Sequence, residues 1–114
     1  MAKSMPTEVR IGSQVWFVTE QKRKHQADPN HFGFTTMKDN TIVIDAELTA
    51  SMKRTTLFHE LLHAVRITFG GSFQPGKNTA FDEWEHFFIG LYEEPVIMLL
   101  RDNPVLLAYL TDES

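Results

Sequence analysis

A chain of 114 residues with 42% hydrophobic and 23% charged residues has the composition of one folded domain and is too apolar for a disordered segment. Its 11 Lys and Arg against 15 Asp and Glu leave a formal net charge of −4, which argues against a nucleic-acid partner, and no window approaches the roughly eighteen apolar residues of a membrane span. The absence of cysteine excludes disulfides, thiolate metal sites and cysteine nucleophiles, so any metal has to be held by His and carboxylates.

Residues 9–19 (VRIGSQVWFVT) are β-branched and aromatic with partial alternation, which predicts a first strand, interrupted near Gly12. Residues 21–30 are polar, hold the small basic cluster Lys22-Arg23-Lys24-His25 and end in Asp28-Pro29-Asn30, as a loop or short helix does. Residues 32–37 and Thr41 to Asp45 read as two strands of a hairpin turned at Lys38-Asp39-Asn40. A helix is predicted over residues 52–69, with Thr49 or Ser51 as N-cap and Gly70-Gly71 as a left-handed stop. Leu57, Phe58, Leu61, Leu62, Val65 and Phe69 recur on it at the spacing of an apolar face. Residues 72–80 (SFQPGKNTA) have loop composition, and a second helix should run over residues 81–102, kinked or split at Pro95. Asn103-Pro104 then starts a short last helix over residues 105–110.

The middle of the first long helix carries His59-Glu60-Leu61-Leu62-His63, the HExxH pattern. Residues four apart share a helix face, so His59 and His63 can aim two imidazole nitrogens at one tetrahedral Zn²⁺. Glu60 lies about 100° around the helix from His59, within reach of a metal-bound water, which is the place of a general base. Without a metal, an otherwise apolar helix would strand three polar groups. His25 and His31 lack such neighbours and read as loop residues, and Trp16 and Trp84 read as core.

A zinc of this type takes a third protein ligand and leaves a position to water. Candidates cluster at Asp82, Glu83, Glu85 and His86. Glu85 shares a helical face with Phe81, Phe88 and Tyr92, an apolar stripe on which a carboxylate needs a partner, so Glu85 is the expected third ligand and His86 the alternative. Glu83 suits a solvated first turn.

With these motifs the chain resembles the small zincin-like proteins of phages and prophages, relatives of the ImmA/IrrE family of metallo-endopeptidases. The resemblance spans residues 32–110 and rests on FGFTTMKDNTIVID, TTLFHELLHAV, a glycine-containing loop, an acidic helix start and the closing LLRDNPVLLAYL. It implies a compact α+β fold, with a small antiparallel or mixed three-stranded sheet packed on the HExxH helix and a following helix that supplies a Glu to the zinc. The adjacent Glu85-His86 pair departs from that pattern.

The expected function is zinc-dependent hydrolysis of peptide bonds, with Zn²⁺ as cofactor, a metal-activated water and Glu60 as base. The strand Thr41 to Asp45 is the expected edge for an extended peptide, with Tyr92 and Arg66 as candidate oxyanion partners. The alternative is a zinc-bearing phage or host interaction module that cuts nothing. The expected partner is a protein or peptide, with no nucleic acid and no membrane. Residues 1–6 lead into no apolar export segment, so a cytoplasmic location is expected, in the host if the chain is phage-encoded.

Overall fold

The computed structural model describes residues 4–22, 32–70 and 80–113, with the side chains of residues 81 and 82 outside that description. Its elements are β1 (Glu8–Ile11), β2 (Gln14–Gln21), β3 (Gly33–Thr36), β4 (Thr41–Asp45), α1 (Ala50–Val65), a π-helical turn (Arg66–Gly70), α2 (Phe81–Asp102) and α3 (Pro104–Leu110). The architecture is α+β, with a four-stranded mixed sheet where three strands were expected from the sequence.

The extra strand comes from Gly12. Its φ is +60°, a conformation that a β-carbon disfavours, and the Phe69 ring closes over it so that an added Cβ would lie 2.9 Å from Phe69 Cζ. Residues 9–19 therefore reverse direction there, and Ile11 pairs with Gln14 across a two-residue hairpin with glycine at its first central position. Alternation then works on both arms: Val9, Ile11, Trp16 and Val18 are buried, while Glu8, Arg10, Val15 and Phe17 face out.

The strand order is β1-β2-β4-β3, with β4 parallel to β2 and antiparallel to β3. Between two neighbours, β4 buries Ile42, Val43, Ile44 and Asp45 in succession, as an interior strand covered on both faces does. It is therefore no edge for a docking peptide; among the described residues the outer strands are β1 and β3, and β3 is the one beside β4. The β3–β4 hairpin turns at residues 37–40 as its sequence indicates. Asn40 takes a φ of 52° there, which asparagine tolerates, and its side chain donates to Val15 O (3.3 Å) and Gln14 Oε1 (3.2 Å) on β2.

Thr49 caps α1 by accepting from Met52 N. One face of α1 (Leu57, Leu61, Ala64, Val65) joins Val9, Ile11, Trp16, Ile42 and Ile44 in the core. Full burial of each leucine contributes about 1.5–3 kcal/mol. Gly70 does not take the expected left-handed conformation. The chain widens into the π-helical turn instead, and Gly70, which lacks a positive φ, admits Leu91 of α2 so closely that an added Cβ would meet Leu91 Cδ1 at 2.8 Å. Gly71 lies outside the described residues, as do residues 23–31 and 72–79.

Helix α2 runs from Phe81 to Asp102 without splitting at Pro95. Tyr92 before the proline and Leu99 after it both pack on the core, so tertiary contacts support the helix on both sides although the Leu91 carbonyl loses its helical N–H partner. Asn103 ties the end of α2 to β1, donating to Arg10 O (2.7 Å) and Leu99 O (2.8 Å) and accepting from Arg10 N (2.8 Å). Pro104 opens α3, which buries Leu106 and Tyr109. Among the described residues no helix is long and apolar enough to cross a membrane.

Two measurements check this arrangement. Burial raises the Tyr109 hydroxyl above its ordinary value. The neutral phenol is therefore the packed form, and its contribution, complete below the ordinary tyrosine range, should fade as pH rises through the raised value. Denaturant unfolding of wild type and Tyr109→Phe should diverge only in alkali. At β3, an added Cβ on Gly33 would come within 2.8 Å of Val43 O and 3.1 Å of Thr56 Cγ2. Gly33→Ala should cost about 1–3 kcal/mol in thermal unfolding, and an unchanged midpoint would contradict the close packing of β3.

Candidate metal centre

Which face of α1 is buried determines where its three polar groups stand. Thr56 and Glu60, one turn apart, are both buried and both meet β3. Alternate strand residues lie about 6.6 Å apart and one helical turn rises about 5.4 Å, so Gly33 and Thr35 can face Thr56 and Glu60 in register. Gly33, with no side chain, lets the strand approach Thr56 closely. Thr35 then reaches Glu60: its Oγ1 donates to Glu60 Oε1 at 2.7 Å and lies 3.2 Å from the Glu60 carbonyl oxygen. The shorter contact is a hydrogen bond to a carboxylate, the stronger class of such bonds.

His59 and His63 fall on the neighbouring, exposed side of the helix. Their rings stand edge to face with centroids 5.0 Å apart and planes at 73°. His59 Nε2 lies 3.8 Å from Glu60 Oε2, the oxygen that Thr35 does not engage, and while the Glu60 side chain is 8% exposed that of His59 is 67% exposed. Ligand atoms of His59, Glu60 and His63 all lie within 4.8 Å of one another, the one group among the described residues able to hold a metal ion. The three residues open onto a cleft of about 320 Å³ walled by Gly33, Phe34 and Thr35 of β3 and by Ile67 of the π-helical turn. Two imidazole nitrogens facing one open cleft, with a carboxylate beside them, suit a borderline divalent ion such as Zn²⁺.

The start of α2 is placed differently from the sequence reading. Its inward stripe runs through Trp84, Phe88, Leu91, Tyr92 and Leu99, with Trp84 stacked on Phe88 at 5.3 Å between ring centroids. Glu85 is exposed, so no burial argument forces a metal on it, and His86 is exposed as well. Neither belongs to the group around His59. Glu83 is exposed, as a solvated first-turn residue should be, and the Asp82 side chain lies outside the described residues. Arg66 and Tyr92 are not among the described residues that line the cleft. His25 and His31 lie outside the described residues.

Thr35 is the residue that sequence reasoning missed. It sits 25 positions from its partner, on a strand whose pattern signals pairing but not which helix residue it faces. No family model, curated protein or solved structure matches the chain.

Titration with Zn²⁺ should load one ion per chain through His59 and His63. At a free concentration about 100 times Kd the ion should stabilise the fold by about 2.7 kcal/mol. His59→Ala and His63→Ala should each lose that thermal shift, and a shift equal to wild type in either variant would remove that histidine from the site.

Proposed function

We propose that this chain is a minimal zincin-like domain that hydrolyses peptide bonds with a divalent metal, zinc by its donor set, and Glu60 as general base. The observation that carries the reading is the division of labour on α1. Two exposed imidazoles share one cleft, and beside them stands a buried carboxylate with one oxygen engaged by Thr35 and the other directed at His59. When bound, the ion supplies a Lewis acid that polarises a carbonyl and acidifies water toward a pKa of about 7. Glu60 takes the water proton through Oε2 and returns it to the leaving amine. Edge strand β3, which forms one wall of the cleft, offers its backbone to an extended peptide by strand addition, the role that the sequence reading gave to β4.

The third protein ligand is proposed at the start of α2, at Glu85 with His86 as the alternative. Both side chains are exposed and neither is committed to the core. Kinship with the ImmA/IrrE metallo-endopeptidases is part of the same proposal and rests on HELLHAV following the TIVID strand. A cytoplasmic site of action is proposed as well, on the absence of an apolar export-type run after residues 1–6.

One observation favours the second reading, a metal-bearing interaction module without catalysis. Among the described residues the donor group contains no ligand from α2, and the cleft is small and open.

Cleavage of a peptide library by zinc-loaded wild type and Glu60→Gln separates the two. The hydrolase reading predicts full zinc loading in both proteins and a loss of at least about 100-fold in turnover for Glu60→Gln, the scale of general-base catalysis. Zinc loading with no cleavage by wild type would establish the module. For the third ligand, Glu85→Ala should weaken zinc binding more than His86→Ala, and unchanged affinity in both would move that ligand elsewhere.

A further inference from the structure

A carboxylate that moves protons has to present one oxygen to the reacting water and keep from rotating away. Glu60 is buried on α1, and among the described residues the side-chain hydroxyl that engages it comes from a different element: Thr35 Oγ1, 2.7 Å from Oε1. The same hydroxyl lies 3.2 Å from the Glu60 carbonyl oxygen, a longer alternative acceptor for its single proton. With Oε1 engaged, Oε2 is the oxygen left toward His59 and the cleft. Gly33, two residues earlier on β3, sets the depth of this contact, because any Cβ there would push the strand off Val43 and Thr56.

We propose that Thr35 is the positioning residue for Glu60, and that through it the edge strand β3 fixes which carboxylate oxygen serves as the base. This rests on the hydrolase reading above. Thr35 is assigned no contact with the ion or the peptide bond. It acts by holding Glu60 in one rotamer, a contribution of the kind that outer partners of metal sites make. β3 is also the strand on which an extended peptide would dock, so the docking edge and the clamp on the base belong to one element.

The test compares Thr35→Val, which keeps the shape and removes the hydroxyl, with Thr35→Ser, which keeps the hydroxyl, in the zinc-loaded full chain. Thr35→Val should lower kcat by about 10- to 100-fold with KM and zinc affinity unchanged, and Thr35→Ser should restore most of the loss. A second readout needs neither metal nor activity. The carboxylate stretching band of Glu60, isolated in the infrared as the wild type minus Glu60→Gln difference, should shift in Thr35→Val and return in Thr35→Ser. Wild-type kcat in Thr35→Val, a parallel fall in zinc affinity, or an unmoved band would each overturn the inference while leaving the hydrolase reading in place. A wild type that binds zinc and cuts nothing overturns the hydrolase reading and the catalytic half of this inference together, with the infrared band still deciding whether the clamp exists.

Discussion

The seating of α1 against β3 and β4 is the constraint on which the rest of the molecule turns. Leu57, Leu61, Ala64 and Val65 enter the core with no exposure, and this fixes the rotation of the helix about its axis. Once that rotation is set, the helical period decides the remainder: Glu60 goes under the edge strand, and His59 and His63 come to the open side. A helix turned by one residue one way would bury both imidazoles along with the carboxylate, and turned the other way would bring the carboxylate to the exposed side. The site therefore needs no loop to assemble it, and its three polar groups stand on a rigid element whose position is held by roughly a dozen apolar side chains.

Glycine acts at two points in support of this seating, and for different reasons. At Gly12 a left-handed backbone makes the reversal between β1 and β2, with Phe69 lying over it. The Trp16 indole donates to Thr68 at 3.2 Å nearby, so the first hairpin is tied to the turn that follows α1. At Gly33 the need is for closeness, since the edge strand must approach both the Val43 carbonyl and Thr56. Lys53 adds an ion pair of 2.6 Å with Glu20 on β2, on partly exposed side chains and so of small energetic weight.

Much of this was legible in the sequence where the signal is local. The strand Thr41–Asp45, its hairpin with the preceding strand, the Thr49 cap, the span of α2 and the helical phase of His59 and His63 all follow from period, turn residues and capping chemistry. Reading failed where the outcome depends on partners distant in the chain. Strand alternation continues through Gly12 almost unbroken, so a reversal looked like an interruption and four strands looked like three. Parallel pairing of β2 with β4 has no local signature, and it is what turns β4 into an interior strand and β3 into the edge. At Pro95 a split is one expectation, and α2 continues through it with core contacts on both sides. On α2 the expected stripe and the observed one share Phe88 and Tyr92, but Trp84 and not Glu85 continues it toward the N-terminus, which leaves Glu85 exposed. Thr35 carried no mark at all, because a threonine in a strand is ordinary until the helix opposite it is known.

The account stands or falls on the two imidazoles acting as one chelating pair. X-ray absorption at the zinc edge of the loaded protein tests this without assuming any substrate. It should show a first shell of nitrogen and oxygen only, at about 2.0–2.2 Å, with outer-shell scattering from two imidazoles that falls to one in His63→Ala. A spectrum with no imidazole scattering, or one unchanged by that substitution, would contradict it.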